Sequence, residues 1–264
     1  MSTLFIISIV IFIIAITMSM VGKGGGNFYV LVMVLAGISM HNAATTSQLI
    51  MMGTSLASML IFHKNKRVDW KLALVIDPPT DIMAFFGGYF SSSFEGTTLK
   101  LMFAGFLILI SIFMYIPVKE KPLVQKKAFG RWNRHFGEFD YSVNLWLILP
   151  ITATVGFFSG AIGISGGAFK IPMMVMLCGI PMSIAVGTSS AMVAATALMG
   201  FIGHSINGDF NPSLAIPLSI VAILGGIIGG KFALKSKPKN LKKIFATTNL
   251  IAAIIMIINI LSLY

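Results

Sequence analysis

Long, predominantly apolar runs recur along the whole chain and set the main limit on its fold. A helix that crosses a bilayer needs roughly 20 apolar residues. Eight runs approach or reach that length: 4–21, 43–62, 72–90, 101–117, 144–162, 183–204, 212–230 and 244–262. Two shorter runs, 28–39 and 168–179, each follow a glycine cluster and would span only about 18 Å of a hydrocarbon core of about 30 Å. We therefore predict an all-α polytopic membrane protein in which the short runs are half-helices.

The composition excludes several other classes of protein. The 264 residues are 56% hydrophobic and only 10% charged, whereas soluble domains carry about 25% charged residues. The low charge also argues against disorder, and a single cysteine, Cys178, excludes a disulfide scaffold or a Cys-rich zinc site. We expect no cofactor. The net charge of +11 lies in basic residues between apolar runs, so we predict the lipid bilayer, and not nucleic acid, as the partner.

The chain contains an internal repeat. Gly22–Phe28 aligns with Gly163–Phe169, Ala43–Ser47 with Ala185–Ser189, and Asp69-Trp70 with Asp209-Phe210, at offsets that agree within one or two residues. Such symmetry is common in transporters. We predict a first repeat over 1–117, a basic cytoplasmic linker over 118–142 and a second repeat over 143–264.

The charges of equivalent loops predict that the repeats have opposite topology. Loop 63–71 is basic and its counterpart 205–211 has no Lys or Arg, while loop 91–100 has only Lys100 and its counterpart 231–243 has six lysines. Under the positive-inside rule, this alternation requires an odd number of crossings in each repeat. We predict five segments in each repeat, four long helices and one half-helix, with both termini outside. Residues 1–21 lack a basic segment and an obvious cleavage site, so we interpret them as a retained span rather than a signal peptide.

The two glycine clusters are the best candidates for a binding site. Broken helices in a bilayer occur where the backbone is buried in protein or lines a cavity, and the free N–H groups at the start of the next helix attract anions. Here those helices start near Asn27 and Ala168. We call residues 22–27 the first elbow and residues 163–168 the second elbow. Glycine clusters can also serve close helix packing, which is the alternative interpretation.

A hydroxyl cluster follows each elbow and can supply further donors to an oxyanion. The first comprises Thr45, Thr46, Ser47 and Gln48, and the second Thr188, Ser189 and Ser190. Lys23 and Lys170 lie beside the elbows and can add positive charge, although Lys170 could instead extend to an interface. Ser and Thr also form hydrogen bonds between helices without binding a ligand.

These residues resemble the sulfite exporter TauE/SafE family of anion transporters. The resemblance covers nearly the whole chain. It rests on Gly22-x-Gly-Gly-Gly26, Ala-Thr-Thr-Ser47 and His63-Lys-x-Lys-Arg-Val-Asp-Trp70 in the first half. In the second half it rests on Gly163-x-Ser-Gly-Gly167 with Pro172, Gly179-Ile-Pro181, Ala185-x-Gly-Thr-Ser189, Gly200-x-x-Gly-His204 and a glycine-rich helix before the basic loop 231–243.

The resemblance implies a transporter of sulfite, organosulfonates or related sulfur oxyanions, with the elbows and Thr-Ser clusters near the substrate. The repeats differ at Leu31 and Ser39, where the second repeat has Pro172 and Pro181, and Lys23 and Ser165 interrupt glycine-rich positions.

Two acidic residues fall inside the run 72–90, in the string Asp77-Pro-Pro-Thr-Asp81. Carboxylates inside a membrane are costly and often relay protons or ions, and the double proline is expected to break the helix there. Asp81, the deeper of the two, is the first candidate for a proton-coupling group and Asp77 the second. Alternatively, Asp77 lies at the cytoplasmic interface.

The histidines His41, His63 and His204 raise the alternative of an intramembrane enzyme. Ser189 and His204 are too far apart on one helix to form a catalytic pair, and the same holds for Ser47 and His63. A Ser–His pair between the two repeats remains an alternative without a supporting motif. We expect no metal site, because histidines and acids do not cluster at ligand spacing, and we expect His63 and His204 to cap helix ends.

We therefore predict a secondary transporter, and not an enzyme, in a prokaryotic plasma membrane. It moves a small anionic substrate by alternating access, with proton coupling and a homodimeric state left open. A passive anion channel is the alternative. The predicted substrate-binding residues are Lys23, Gly24, Gly25, Gly26, Asn27, Thr46, Ser47, Ser165, Gly166, Gly167, Thr188 and Ser189.

Overall fold

The structure is a computed structural model that describes residues 2–115, 129–164, 166–235 and 238–261. Within these ranges it contains eleven α-helices and one β-hairpin. The helices of the first half are α1 Ser2–Met20, α2 Gly26–Leu35, α3 Met40–Lys64, α4 Trp70–Ile76, α5 Pro78–Phe90 and α6 Gly96–Tyr115. The predicted runs of this half match these helices closely, and the prediction of a mainly helical membrane protein is confirmed.

The second half begins with the hairpin, β1 Arg131–Phe136 and β2 Phe139–Asn144, and continues with five helices. These are α7 Leu145–Ile162, α8 Gly167–Cys178, α9 Met182–Ile206, α10 Pro212–Ala233 and α11 Pro238–Leu261. Among the described residues, four helices are long and apolar enough to cross a membrane: α3, α7, α9 and α10. The short helices α2 and α8 coincide with the two predicted half-helices.

Local sequence signals explain where several helices begin and end. Ser39 caps α3 by accepting a hydrogen bond from the Asn42 N–H at 3.4 Å, and Asp69 caps α4 by accepting one from the Leu72 N–H at 3.2 Å. Gly163 ends α7 and Gly179 ends α8, both in the left-handed conformation that glycine adopts without steric cost. Glycine thus marks the end of α7 and the end of the half-helix α8.

The run 72–90 is interrupted at Asp77, between α4 and α5. Backbone hydrogen bonds join Asp77 to Ala73 and Asp81 to Asp77, but Pro78 and Pro79 between them have no N–H to donate. The predicted break at the double proline is confirmed, and it leaves a carboxylate at the break itself.

Helices α3 and α9 form the centre of the bundle. They pack against each other, and each also packs against one broken or glycine-rich neighbour, α10 for α3 and α5 for α9. Helix α1 packs on α10, α7 packs on α5, and α6 packs on α11. Glycines permit the close approach, since a Cβ at Gly156 or Gly160 of α7 would overlap the backbone of α5, and one at Gly229 of α10 would overlap that of α1.

The hairpin was not predicted, because it falls across the end of the predicted linker. Its strands pair from Arg131 with Asn144 to Phe136 with Phe139, and Gly137 takes a positive φ of 61° in the two-residue turn. A glycine at the first turn position favours the turn that matches strand twist. The alternation around Gly137-Glu138 was the available signal for a hairpin.

Candidate functional site

The first elbow is an irregular turn inside the bundle. Gly22, Gly24 and Gly25 all have positive φ, and the Gly25 N–H donates to the Lys23 carbonyl at 2.9 Å. The elbow packs against both central helices. A Cβ added to Gly22 would overlap the backbone of Val186 on α9, and one added to Gly24 would lie 2.7 Å from the Ser55 Oγ on α3. Side chains at these two positions are excluded by backbone strain and by space.

The second elbow packs on the opposite partner. A Cβ at Gly163 would overlap the backbone of Ala44 on α3, and the Ile164 N–H donates to the Ser159 carbonyl at 3.0 Å. Gly166 precedes α8, and its carbonyl accepts the N–H groups of Phe169 and Lys170, each at 3.0 Å. The second elbow therefore rests on α3 as the first rests on α9.

The two elbows meet in the centre of the protein. A Cβ on Gly167 would lie 3.4 Å from the Lys23 Cα, 2.7 Å from Val193 and 3.2 Å from the Ser189 Oγ. Val193 also faces Gly24, at 2.8 Å from the corresponding Cβ position. We call this region, bounded by Gly24, Gly167, Ser55, Ser189 and Val193, the elbow junction.

Ser47 binds the backbone of both elbows. Its hydroxyl lies 2.8 Å from the Gly163 carbonyl and 3.0 Å from the Gly26 carbonyl. Since a hydroxyl has one proton to share between these two acceptors, Ser47 holds the breaks together. Ser47, a predicted site residue, thus lies at the elbows, where its hydroxyl binds the backbone of the protein.

Several other buried hydroxyls near the elbows are unpaired among the described residues. Ser189, Ser55 and Thr46 are at most 1% exposed, and their hydroxyl oxygens have no hydrogen-bond partner. Leaving one such group unpaired costs about 1–3 kcal/mol. At the elbow junction, Ser55 and Ser189 therefore offer two donors to a polar guest. Ser189 and Thr46 were predicted, and Ser55 was missed because nothing in the sequence indicates that its face of α3 meets the first elbow.

The remaining predicted residues are also accounted for. Lys23 and Asn27 are buried, at 2% and 3% exposure, and each has an interaction partner. Gly25 is the left-handed residue before α2, and Gly26 is the buried first residue of that helix. Ser165 lies outside the described residues.

Thr188 is engaged by a loop rather than by an elbow. Its Oγ1 accepts the Asp69 N–H at 3.0 Å, and the neighbouring Gly187 leaves no room for a Cβ beside the Arg67 carbonyl. The basic loop 63–71 therefore packs directly on the first turns of α9.

The hairpin is fastened to the same loop through Asp69. Arg134 donates to both carboxylate oxygens of Asp69, at 3.0 and 3.1 Å, and Tyr141, the cross-strand partner of Arg134, also donates to it. Burial acts to raise the pKa of Asp69, but hydrogen bonds from Arg134, Tyr141 and the Leu72 N–H outweigh it and hold this pKa below its ordinary value. We call Asp69, Arg134, Tyr141 and Thr188 the loop clasp.

Lys170, Asp77 and Thr196 form a buried polar cluster, which the half-buried Asp81 extends. Lys170 is 1% exposed and ion-paired with Asp77, which is 4% exposed. Lys170 also donates to the Thr196 Oγ1 at 2.8 Å, and Thr196 donates to Asp81 at 2.7 Å. Lys170 and Asp77 are therefore enclosed by protein and paired with each other.

The histidines occupy separate positions near helix ends. His63 accepts from the Trp70 indole N–H at 3.0 Å, and His41 contacts the Phe94 carbonyl at 3.1 Å. His204 lies 2.8 Å from the Gly160 carbonyl and 3.0 Å from the Ser91 Oγ, in a fully buried position. The Ser91 hydroxyl also contacts the Gly88 carbonyl at 2.6 Å. The Ser91–His204 pair, which links the two repeats, therefore joins the ends of helices.

Comparisons with known proteins agree with this description. The model of the sulfite exporter TauE/SafE family matches residues 7–256. The probable membrane transporter protein YunE of Bacillus subtilis is 29% identical over 249 residues, which cover 90% of this chain and 91% of YunE. The probable membrane transporter protein YdhB of the same organism is 27% identical, over 96% of this chain and 99% of YdhB. The probable membrane transporter protein MJ0441 of Methanocaldococcus jannaschii is 26% identical, over 89% of this chain and 88% of MJ0441. No solved structure matches the chain.

Proposed function

Because this chain belongs to the sulfite exporter TauE/SafE family, we propose that it is a secondary transporter of small sulfur-containing oxyanions, such as sulfite or an organosulfonate. The family and the names of the relatives indicate a multi-pass membrane transporter. The substrate class follows from the family description, and the location in a plasma membrane from the proposed role.

The elbow junction is the observation that carries this proposal. Two helix starts, Gly26 of α2 and Gly167 of α8, belong to elbows that touch each other inside the bundle. Two buried hydroxyls without partners in the described part of the chain, Ser55 and Ser189, lie beside the elbows. Helix starts and hydroxyl donors together can stabilise an anion without a full counter-charge. A small oxyanion at this junction would satisfy the unpaired groups.

The helix pairing supports two structurally equivalent repeats. Exchanging the predicted repeats replaces α1 by α7, α3 by α9 and α5 by α10. It converts the α1–α10 pair into α7–α5 and the α3–α10 pair into α9–α5, and all four pairs are present. The pairs α3–α9 and α6–α11 are converted into themselves. We propose that the repeats, 1–117 and 143–264, have inverted topology, with both termini outside and the linker 118–142 inside. Alternating access would then expose the junction to each side in turn.

Proton coupling is part of the proposal. Asp81 and Asp77 are the candidate coupling groups, because they lie in a buried cluster that reaches the second elbow through Lys170. Buried carboxylates inside membranes are typical of proton relays.

The test is transport by the purified protein in liposomes. We expect saturable uptake of radiolabelled sulfite that an organosulfonate inhibits, and faster uptake when unlabelled sulfite is present inside. Such acceleration requires a carrier, because only a carrier returns its binding site to the outside with an internal substrate bound to it. Sulfite flux equal to that of liposomes without protein would contradict the proposed substrate class. Saturable flux that internal sulfite does not accelerate would favour the channel.

A further inference from the structure

The buried cluster around Lys170 links the second elbow to two carboxylates. Lys170 is in the first turn of α8, and its backbone N–H binds the Gly166 carbonyl at 3.0 Å. Its Cε lies 3.4 Å from the position of a Cβ on Gly166. The side chain therefore runs along the elbow before its ammonium reaches Asp77 and Thr196.

The charges of this cluster are nearly balanced without a substrate. One ammonium, that of Lys170, faces the carboxylates of Asp77 and Asp81, the second through Thr196. A second buried lysine, Lys23 of the first elbow, has its Cα beside Gly167. From α7 and α9, the groups that face this region are the hydroxyls of Ser159 and Thr196.

A buried ammonium needs a negative partner at every stage of a transport cycle. Taking an ion out of water costs several kcal/mol even after relaxation, and a close counter-ion offsets that cost. Asp77 is this partner of Lys170 in the present structure. If an anion arrives at the elbow while Asp77 stays ionised, the cluster holds an excess negative charge. If Asp77 takes up a proton, its negative charge is lost and the anion can replace it.

We propose that Lys170 is a shared counter-ion, bound by Asp77 when the elbow junction is empty and by the transported anion when Asp77 is protonated. One proton binds the Asp77 carboxylate as one negative charge binds at Lys170, so the net charge of the cluster is the same in both states. Proton and anion then cross together in the same direction. This inference rests on the proposed function and adds to it a named anion ligand and a direction of coupling.

Methanesulfonate is the probe for the test, because it keeps one negative charge at every pH used, whereas sulfite itself takes up protons. In liposomes, a pH gradient should drive accumulation of methanesulfonate by the wild-type protein, together with proton movement reported by a pH-sensitive dye inside. Asp77→Asn mimics the protonated state. We expect it to exchange methanesulfonate across the membrane at all pH values but to lose accumulation driven by the pH gradient.

The second variant tests Lys170 itself without leaving an unpaired charge. Asp77→Asn with Lys170→Gln replaces the ion pair by two neutral amides and so leaves neither charge of the pair uncompensated, the main cost of removing only one partner. We expect the Kd for methanesulfonate to be about tenfold to a hundredfold weaker than in Asp77→Asn, the loss of one hydrogen bond to a charged group. The matched control is Lys100→Gln on α6, which removes a lysine bound to Asn259 at 2.8 Å and should leave affinity and coupling unchanged.

Three outcomes would overturn the inference. One is Asp77→Asn accumulating methanesulfonate in response to a pH gradient as the wild type does. Another is equal affinity of the double variant and Asp77→Asn. The third is wild-type transport that ignores the pH gradient, which would remove proton coupling from the proposed function and leave the transport of anions standing. Wild-type protein that carries neither sulfite nor methanesulfonate would instead contradict the proposed function.

Discussion

The two hydroxyl clusters have nearly the same sequence but different hydrogen bonds. On α3, Ser47 contacts both elbow carbonyls, while its counterpart on α9, Ser189, is unpaired within the described residues. Thr188 on α9 accepts the Asp69 N–H, while its counterpart Thr46 is unpaired. Equivalent residues of the two repeats therefore make different contacts in this conformation. Under the proposed alternating-access mechanism, such a difference is expected of one of its states.

Gly24→Ala should produce the largest effect, because it places a methyl group in the elbow junction. Gly24 has a φ of +71°, and the new Cβ would lie 2.7 Å from Ser55 and 2.8 Å from Val193. We expect transport of sulfite in liposomes to be abolished. Gly37→Ala is the matched control, because Gly37 also has a positive φ, +85°, but open space around it.

The control separates the two costs of adding a side chain. Gly37→Ala should lose about 1–2 kcal/mol of stability from the left-handed backbone alone and retain transport. If both variants carry sulfite at the same rate, the junction is not the site.

The substitutions Ser189→Ala and Ser47→Ala test directly whether the two equivalent serines have different roles. Ser189→Ala should weaken sulfite affinity about tenfold, the loss of one donor to an anion, with no loss of thermal stability. Ser47→Ala should lower the free energy of unfolding by about 1 kcal/mol and leave affinity near the wild-type value. Affinity from binding titrations and thermal unfolding in detergent measure both effects. Loss of affinity in Ser47→Ala and loss of stability in Ser189→Ala would show that Ser47 binds the substrate and Ser189 holds the structure.

The loop clasp should depend on pH through Asp69. Because its pKa is lower in the folded protein, the stabilisation from this carboxylate is present above the pKa of an unfolded aspartate. It is lost as the pH falls through the folded-state pKa. We expect hydrogen exchange of the hairpin amides to rise at acidic pH in the wild-type protein and at neutral pH in Arg134→Met.

The exposed pair His135–Asp140 in the same hairpin provides the control for the clasp and the smallest expected effect. Their side chains lie 2.8 Å apart but are 70% and 57% exposed. Asp140→Asn should therefore change hairpin protection by less than about 0.5 kcal/mol. A change as large as that of Arg134→Met would mean that the hairpin is held by its own charges rather than by Asp69.

Much of the architecture could be predicted because apolar length and glycine position are local signals. The helix boundaries, the half-helices and the break at Pro78 follow from the residues themselves. The ion pair of Lys170 with Asp77 could not be predicted in this way, since the two residues are far apart in the sequence and their approach depends on how α8 and α5 each pack against α9. The bond between Thr188 and Asp69 likewise depends on the docking of a loop, and Ser55 becomes a site candidate only once the first elbow rests on α3.

The central claim is that the two elbows share one anion. Selenite, the heavier analogue of sulfite, allows the most direct measurement, because its anomalous scattering locates it in a crystal of the protein. We expect one strong peak at the elbow junction, within hydrogen-bond distance of the Ser189 hydroxyl and the start of α8. Peaks confined to the lysines of the surface loops, with an empty junction at saturating selenite, would contradict the account.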